Sequence, residues 1–239
     1  MQLPLSITAS TSQLFSNFIV PDDAQPVEAL QNYDTSPSQI FFIYGAEQTG
    51  KSHLLNALCI DQGNAVDYMF IDATTLYEMF SQLRLDEGET PNILDGLEHS
   101  ALICIDNIDA LLQFPQWQFA LFDLINRILE TGNNIVLTSR LRYDDPAFTL
   151  PDLSSRLSWG ESIFLSSLSD ENLLDLVKTY IEQKQISYQP AAISYLMHHM
   201  ARQPRVLKEA IDALDLFGLS QKRRLTVPLI KEWMHMGRP

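Results

Sequence analysis

The chain has 239 residues, 46% of them hydrophobic, enough for one large folded domain or a large one joined to a small one. Its 16 lysines and arginines stand against 30 aspartates and glutamates, a formal charge of −14 that argues against broad contact with a nucleic-acid backbone. No apolar run is long enough to cross a bilayer and no basic stretch followed by an apolar one opens the chain, so neither a membrane span nor a signal peptide is expected and a cytoplasmic location follows.

The first strong signal is the apolar run Ile40-Phe41-Phe42-Ile43-Tyr44, read as a strand, followed at once by Gly45-Ala46-Glu47-Gln48-Thr49-Gly50-Lys51-Ser52. This is a complete G-x-x-x-x-G-K-S phosphate loop. Its glycines let the backbone aim N–H groups at phosphates, Lys51 reaches the β and γ oxygens, and Ser52 ligates Mg²⁺. Helical spacing resumes from His53 through Leu58, so the loop has the strand-to-helix context the motif requires. Gly45, Gln48, Thr49, Gly50, Lys51, Ser52 and His53 are therefore the candidate nucleotide contacts. Charge supports the choice of Lys51, because residues 1–100 carry 14 acidic side chains and only 2 basic ones, and Lys51 is one of the two.

Further strand-like runs follow at 66–71, 101–105, 134–138 and 162–165, separated by helix-like stretches. The pattern predicts an α/β fold with a parallel five-stranded sheet covered by helices. Between the second and third runs, residues 85–91 read as an acidic surface loop. The third run ends in Asp106, an acid at the carboxyl end of an apolar strand, which suits a second Mg²⁺ contact beside Ser52. The next residue is Asn107, where many ATPases of this architecture place a carboxylate to polarise water; an amide cannot accept a proton at neutral pH, so weak hydrolysis is expected. Asp109 is a substitute base only if its offset of two allows. Thr138 and Ser139, at the end of the fourth run, with Arg140 directly after them, are candidate sensors of the γ-phosphate, with a solvent-facing strand end as the alternative. Cys59 and Cys104 have neither metal nor disulfide spacing and read as buried and inert.

After residue 166 the strand signals stop. Ser169 followed by Asp170 and Glu171 reads as a helix start, and further helices are predicted over about 189–201, 204–219 and 226–236. The chain thus divides into a tail at 1–10, a base domain at 11–165 and a helical lid at 166–239. The basic run Lys222-Arg223-Arg224 reads as a solvated turn between two of the helices.

The run Leu150-Pro151-Asp152-Leu153-Ser154-Ser155-Arg156-Leu157-Ser158-Trp159-Gly160, together with Gly45–Ser52, Ile103–Asn107 and Arg202–Ala210, resembles the AAA+ ATPases of the replication-initiator (DnaA) group. Within the group the chain is similar to the small regulatory members that inactivate the initiator after replication starts. The resemblance implies ADP (or ATP) with Mg²⁺ as ligands, and the initiator DnaA and the DNA polymerase III sliding clamp as partners. It assigns Arg156 the role of an arginine finger acting in trans on the initiator's ATP, although the residues alone favour a salt bridge from Arg156 to Asp152. Arg205 takes the place of the lid arginine, with Arg202 as its rival. The start Met1-Gln2-Leu3-Pro4-Leu5 resembles a clamp-binding peptide through Gln2, Leu3 and Leu5, with Ser6 and Ile7 departing from the usual ending. Leu14–Pro21 resembles the segment whose backbone passes the adenine. The initiators carry a DNA-reading domain beyond the lid, for which this chain has no length left, so sequence-specific DNA binding is not expected. A homodimer counts among the candidate assemblies. The rival readings are an autonomous ATPase that loads a helicase or remodels a replication protein, and a small-molecule kinase.

Overall fold

The structure, a computed structural model, describes residues 13–22, 27–31, 39–62, 66–81 and 94–236. The clamp-like residues Gln2, Leu3 and Leu5 and the acidic loop at 85–91 lie outside the described residues. Two compact units are present. The first takes the described residues up to Phe18 and from 27 to Ser167, and the second takes Ile19–Asp22 and the residues from Leu168 onward.

In the first unit, strands β1 (Ile40–Tyr44), β2 (Tyr68–Asp72), β3 (Leu102–Asp106), β4 (Asn134–Ser139) and β5 (Glu161–Phe164) form one parallel sheet in the order β2-β3-β4-β1-β5. The expected five parallel strands are all present, each displaced by no more than two residues at its ends. Successive side chains of a strand point to opposite faces, so a sheet buried on both sides needs apolar residues at every position. The central strands meet that demand. Phe42, Ile103, Ile105, Ile135 and Leu137 enter one core with α3 (Ala73–Ser81), α4 (Pro115–Thr131) and α5 (Pro151–Trp159). Phe41, Ile43, Leu102, Cys104 and Val136 enter the other, with α1 (Val27–Gln31) and α2 (Lys51–Gln62). Both cysteines are buried on this second face, as their apolar contexts imply, and burial pushes the Cys104 thiol well up.

The second unit contains α6 (Asp170–Gln183), α7 (Pro190–His199), α8 (Pro204–Gln221) and α9 (Val227–His235), close to the predicted helices. Their boundaries follow local chemistry. The Ser169 hydroxyl accepts from the Asn172 backbone N–H and Thr226 from that of Leu229, while Pro190 and Pro204 occupy first-turn positions where a missing N–H costs nothing. Leu173, Val177, Ile181, Leu196, Leu207, Ile211, Leu229 and Ile230 share one core. The basic run is an exposed turn, as expected: Lys222 adopts the left-handed conformation that ends α8 and Arg223 pairs with Glu232 at 2.7 Å. No helix among the described residues is long and apolar enough to cross a membrane.

Candidate functional site

The phosphate loop lies between β1 and α2, at the carboxyl edge of the sheet. Register places it there, because Tyr44 is opposite Ser139 of β4 and the Gly45 N–H donates to the Ser139 carbonyl at 3.2 Å. Gly45 also passes so close to β5 that a Cβ would stand 2.2 Å from the Leu165 carbonyl oxygen, so no larger residue fits without moving backbone. Gly50 has φ +100° and a Cβ there would meet the Phe18 ring at 2.7 Å. Helix α2 begins at the next residue, which turns its unpaired N–H groups toward the loop, the arrangement that favours an anion.

Lys51 is buried, with its ammonium donating to the Gly45 and Ala46 carbonyls at 2.7 and 2.6 Å. Desolvation lowers its pKa, and the nearby Asp106 and Asp109 carboxylates oppose that shift. Thr49 donates to the Ala46 carbonyl at 3.0 Å and closes the loop on itself. Gln48 sits at φ +64° within it. His53 contacts the segment before β1: its Nε2 lies 2.9 Å from the Leu14 carbonyl oxygen and its ring meets Phe18 edge-on at 5.3 Å. The segment around Leu14–Phe18 is thereby fastened against Gly50 and the first turn of α2, beside the phosphate loop.

Asp106 ends β3 and is 4% exposed. Burial raises its pKa, while hydrogen bonds from Ser52 and Thr138 and the charge of Lys51 pull it back and Asp72 pushes it up. Ser52 and Asp106, the two residues read as Mg²⁺ contacts, are thus brought within hydrogen-bond distance of each other. A hydroxyl hydrogen-bonded to a carboxylate is a hard oxygen pair suited to Mg²⁺, which keeps waters and substrate phosphates as its other ligands.

Thr138 and Ser139 are fully buried, so the solvent-facing alternative is excluded. The Thr138 hydroxyl donates to Asp106 and accepts from the Asn107 backbone N–H at 2.9 Å, while the Ser139 hydroxyl accepts from the Leu141 N–H at 3.0 Å. Thr138 therefore acts on the carboxylate in this structure, a role the sequence did not suggest because it depends on β4 lying beside β3.

The strand geometry stops at Asp106. Asn107 turns left-handed at φ +59°, and its side-chain amide donates to Asp72 at 3.3 Å. Asp72 ends the neighbouring β2 and also accepts from the Thr74 N–H and the Thr75 hydroxyl. Asp109, in the short 3-10 turn Ile108–Ala110, has a side chain 3% exposed, and its two oxygens accept from the Arg140 backbone N–H at 2.9 Å and Nε at 2.5 Å. The one substitute base is therefore clasped by a guanidinium. Asp72 was not singled out from the sequence, where an acid closing a strand before Thr-Thr was the available signal; Arg140 was read with Thr138 and Ser139 as a polar group near the γ-phosphate and not as the partner of Asp109.

Arg156 sits in the last turn of α5, and no ion pair joins it to Asp152 among the described residues. Its guanidinium lies 4.4 Å from the centre of the Trp159 ring instead. The start of α5 is set by Gln118 of α4, a fully buried amide that donates to the Leu112 and Ala147 carbonyls at 2.6 and 3.0 Å and accepts from the Leu150 N–H at 3.0 Å. In the second unit, Arg205 is exposed at the start of α8 and pairs with Glu209 at 2.8 Å, and Arg202 pairs with Asp170.

With this geometry described, comparison with known proteins gives consistent results. The family model for the bacterial DnaA ATPase domain matches residues 11–163, and that for the lid domain of Hda matches residues 170–234. Among solved structures, domain III of the Thermotoga maritima replication initiation protein DnaA superposes with a TM-score of 0.81 at 18% identity, over 96% of this chain and 98% of that one. AMPPCP-bound DnaA from Aquifex aeolicus gives a TM-score of 0.72 at 21% identity, over 89% of this chain and 68% of that one. The Thermotoga maritima RuvB Holliday junction branch migration motor gives 0.62 at 15% identity, over 87% and 64%.

Proposed function

This chain belongs to the bacterial DnaA ATPase family and carries a lid of the Hda kind, and from that premise we propose that it is a nucleotide-bound regulator of replication initiation that acts on the initiator's ATP rather than spending its own. The nucleotide is ADP, held by the N–H groups of the loop from Gly45 to Gly50 and by Lys51, with Arg205 contributing from the lid. Ser52 and Asp106 hold Mg²⁺, which supplies charge neutralisation at the phosphates when bound.

The observation that carries this reading is the disabled base. At the strand end where water must be activated stands the Asn107 amide, tethered to Asp72, and the remaining carboxylate, Asp109, has both oxygens engaged by Arg140. A site that keeps its phosphate loop while Asn107 and Asp109 are both committed to other partners binds nucleotide and turns it over slowly. Arg156 is then the useful cation. As a finger reaching into the initiator's site it offsets charge developing on the γ-phosphate, worth roughly a thousandfold or more in other phosphoryl-transfer systems. Gln2, Leu3 and Leu5 tether the protein to the sliding clamp, in an extended peptide mode to which Pro4 is suited.

The test is ATP hydrolysis by the initiator in the presence of clamp and DNA, with wild type, Arg156→Ala and Gln2→Ala/Leu3→Ala. Loss of stimulation in both variants, with ADP binding retained, supports the reading. Rapid turnover by this protein alone, independent of the N-terminal residues, would instead mark an autonomous ATPase of the loader or remodeller type.

A further inference from the structure

Helix α5 divides its residues between two environments. Leu153 and Leu157 point into the core and anchor the helix, whereas Arg156 and Trp159, three apart and so on one face, point out of it. Trp159 is 69% exposed. An indole left this open keeps a large apolar face in water, which a fold gains nothing from, and here the guanidinium of Arg156 lies 4.4 Å from its ring centre.

The choice of partner matters chemically. A finger arginine must keep its full charge and leave its terminal N–H groups free to meet a phosphate. A carboxylate partner, such as Asp152 one turn earlier, would neutralise the charge and occupy those donors. An aromatic face does neither: it attracts the cation through its quadrupole and holds the guanidinium in plane while its edge nitrogens remain open. The stack also removes rotamer freedom that a long, unpartnered side chain would otherwise lose at the moment of engagement. The last turn of α5 lies at the negative end of the helix dipole, a further favourable place for a cation.

We propose that Trp159 is the positioning residue of the arginine finger: its indole holds Arg156 at the exposed end of α5, charged and oriented, ready for the partner's γ-phosphate. The inference rests on the reading of Arg156 given above. In the reaction it serves, water's oxygen bonds to the γ-phosphorus as the bond from that phosphorus to the β–γ bridging oxygen breaks; ADP leaves with the electron pair, the water protons end on the released phosphate and solvent, and Arg156 meets the negative charge on the γ oxygens. Trp159 touches none of these atoms and acts through Arg156.

The experiment measures initiator ATP hydrolysis on clamp and DNA as a function of the concentration of this protein, for wild type, Arg156→Ala, Trp159→Phe and Trp159→Leu. Trp159→Leu keeps an apolar cover without a π face, and Trp159→Phe keeps a weaker one. The expected result is a maximal rate lowered about five- to thirtyfold in Trp159→Leu, the range of a cation–π contact that becomes desolvated at an interface, with the half-saturating concentration little changed and most of the rate restored in Trp159→Phe. Melting curves of the free proteins should coincide, since the indole is mostly solvated. Full activity in Trp159→Leu, or a loss confined to the half-saturating concentration, would overturn the positioning role while leaving the finger intact. Undiminished stimulation by Arg156→Ala would overturn the finger reading itself, and the inference with it.

Discussion

Thr138→Val is the sharpest probe of how the sheet assembles the nucleotide site. Valine keeps the branched shape, so no cavity opens; what is lost is one hydroxyl with two partners. The Asn107 N–H, which donates to it at 2.9 Å, is left without that acceptor, and the buried Asp106 carboxylate loses a donor. An unsatisfied buried group costs about 1–3 kcal/mol and a bond to a charged group contributes about 1.5–3, but one hydroxyl serves both, so the sum is not additive and the expected loss is about 2–4 kcal/mol. Urea unfolding of the ligand-free protein measures it, with Thr138→Ser as the control that keeps the hydroxyl. Function should follow. The Thr138 hydroxyl favours the ionised form of Asp106, so its removal raises that pKa further and moves the acid limit of Mg²⁺-dependent ADP binding to higher pH. A loss under about 1 kcal/mol with an unmoved acid limit would refute the view that β4 tunes the metal-binding carboxylate.

Three further outcomes are expected. Asp106 has a raised pKa in the folded state, so its contribution to stability is fully present below the unfolded value near 3.9 and is lost as pH rises through the folded value; Asp106→Asn should remove that part of the decline in ligand-free melts while abolishing Mg²⁺-dependent nucleotide binding. Arg140→Gln leaves the buried Asp109 carboxylate without its cation and should cost about 1–3 kcal/mol by chemical denaturation, discounted for the half-exposed arginine, whereas Arg140→Gln/Asp109→Asn should recover part of it, a non-additivity read directly from the double-mutant cycle. Gln118→Leu leaves the Leu112 carbonyl and the Leu150 N–H without that partner and takes one of two donors from the Ala147 carbonyl, and should cost about 2–4 kcal/mol while lowering stimulation of the initiator, because the entry into α5 is no longer pinned.

What could be read from the chain alone was whatever is encoded by neighbours in sequence. The phosphate loop is legible because one short segment supplies its glycines, its lysine and its hydroxyl, and because the strand before it and the helix after it are contiguous. The lid helices are legible for the same reason: Ser169 and Thr226 mark two starts through bonds spanning three residues, Pro190 and Pro204 mark the other two from first-turn positions, and the apolar spacing does the rest. The stack of Arg156 on Trp159 is also a local contact, since a separation of three along a helix brings side chains together, but the residues alone pointed to a salt bridge with Asp152 instead.

The remaining features needed the order β2-β3-β4-β1-β5, which no local pattern announces. Placing β4 between β1 and β3 sets the Thr138 hydroxyl between Asp106 and Asn107, across 32 and 31 residues of sequence, and sets Arg140 against Asp109. Placing β2 at the edge beside β3 brings Asp72 to the Asn107 amide. Sequence alone determined the phosphate loop, because its groups are local. Which carboxylates remain available to do chemistry there was decided by tertiary structure, since a charge or hydroxyl is committed by whatever partner the fold carries to within hydrogen-bond distance.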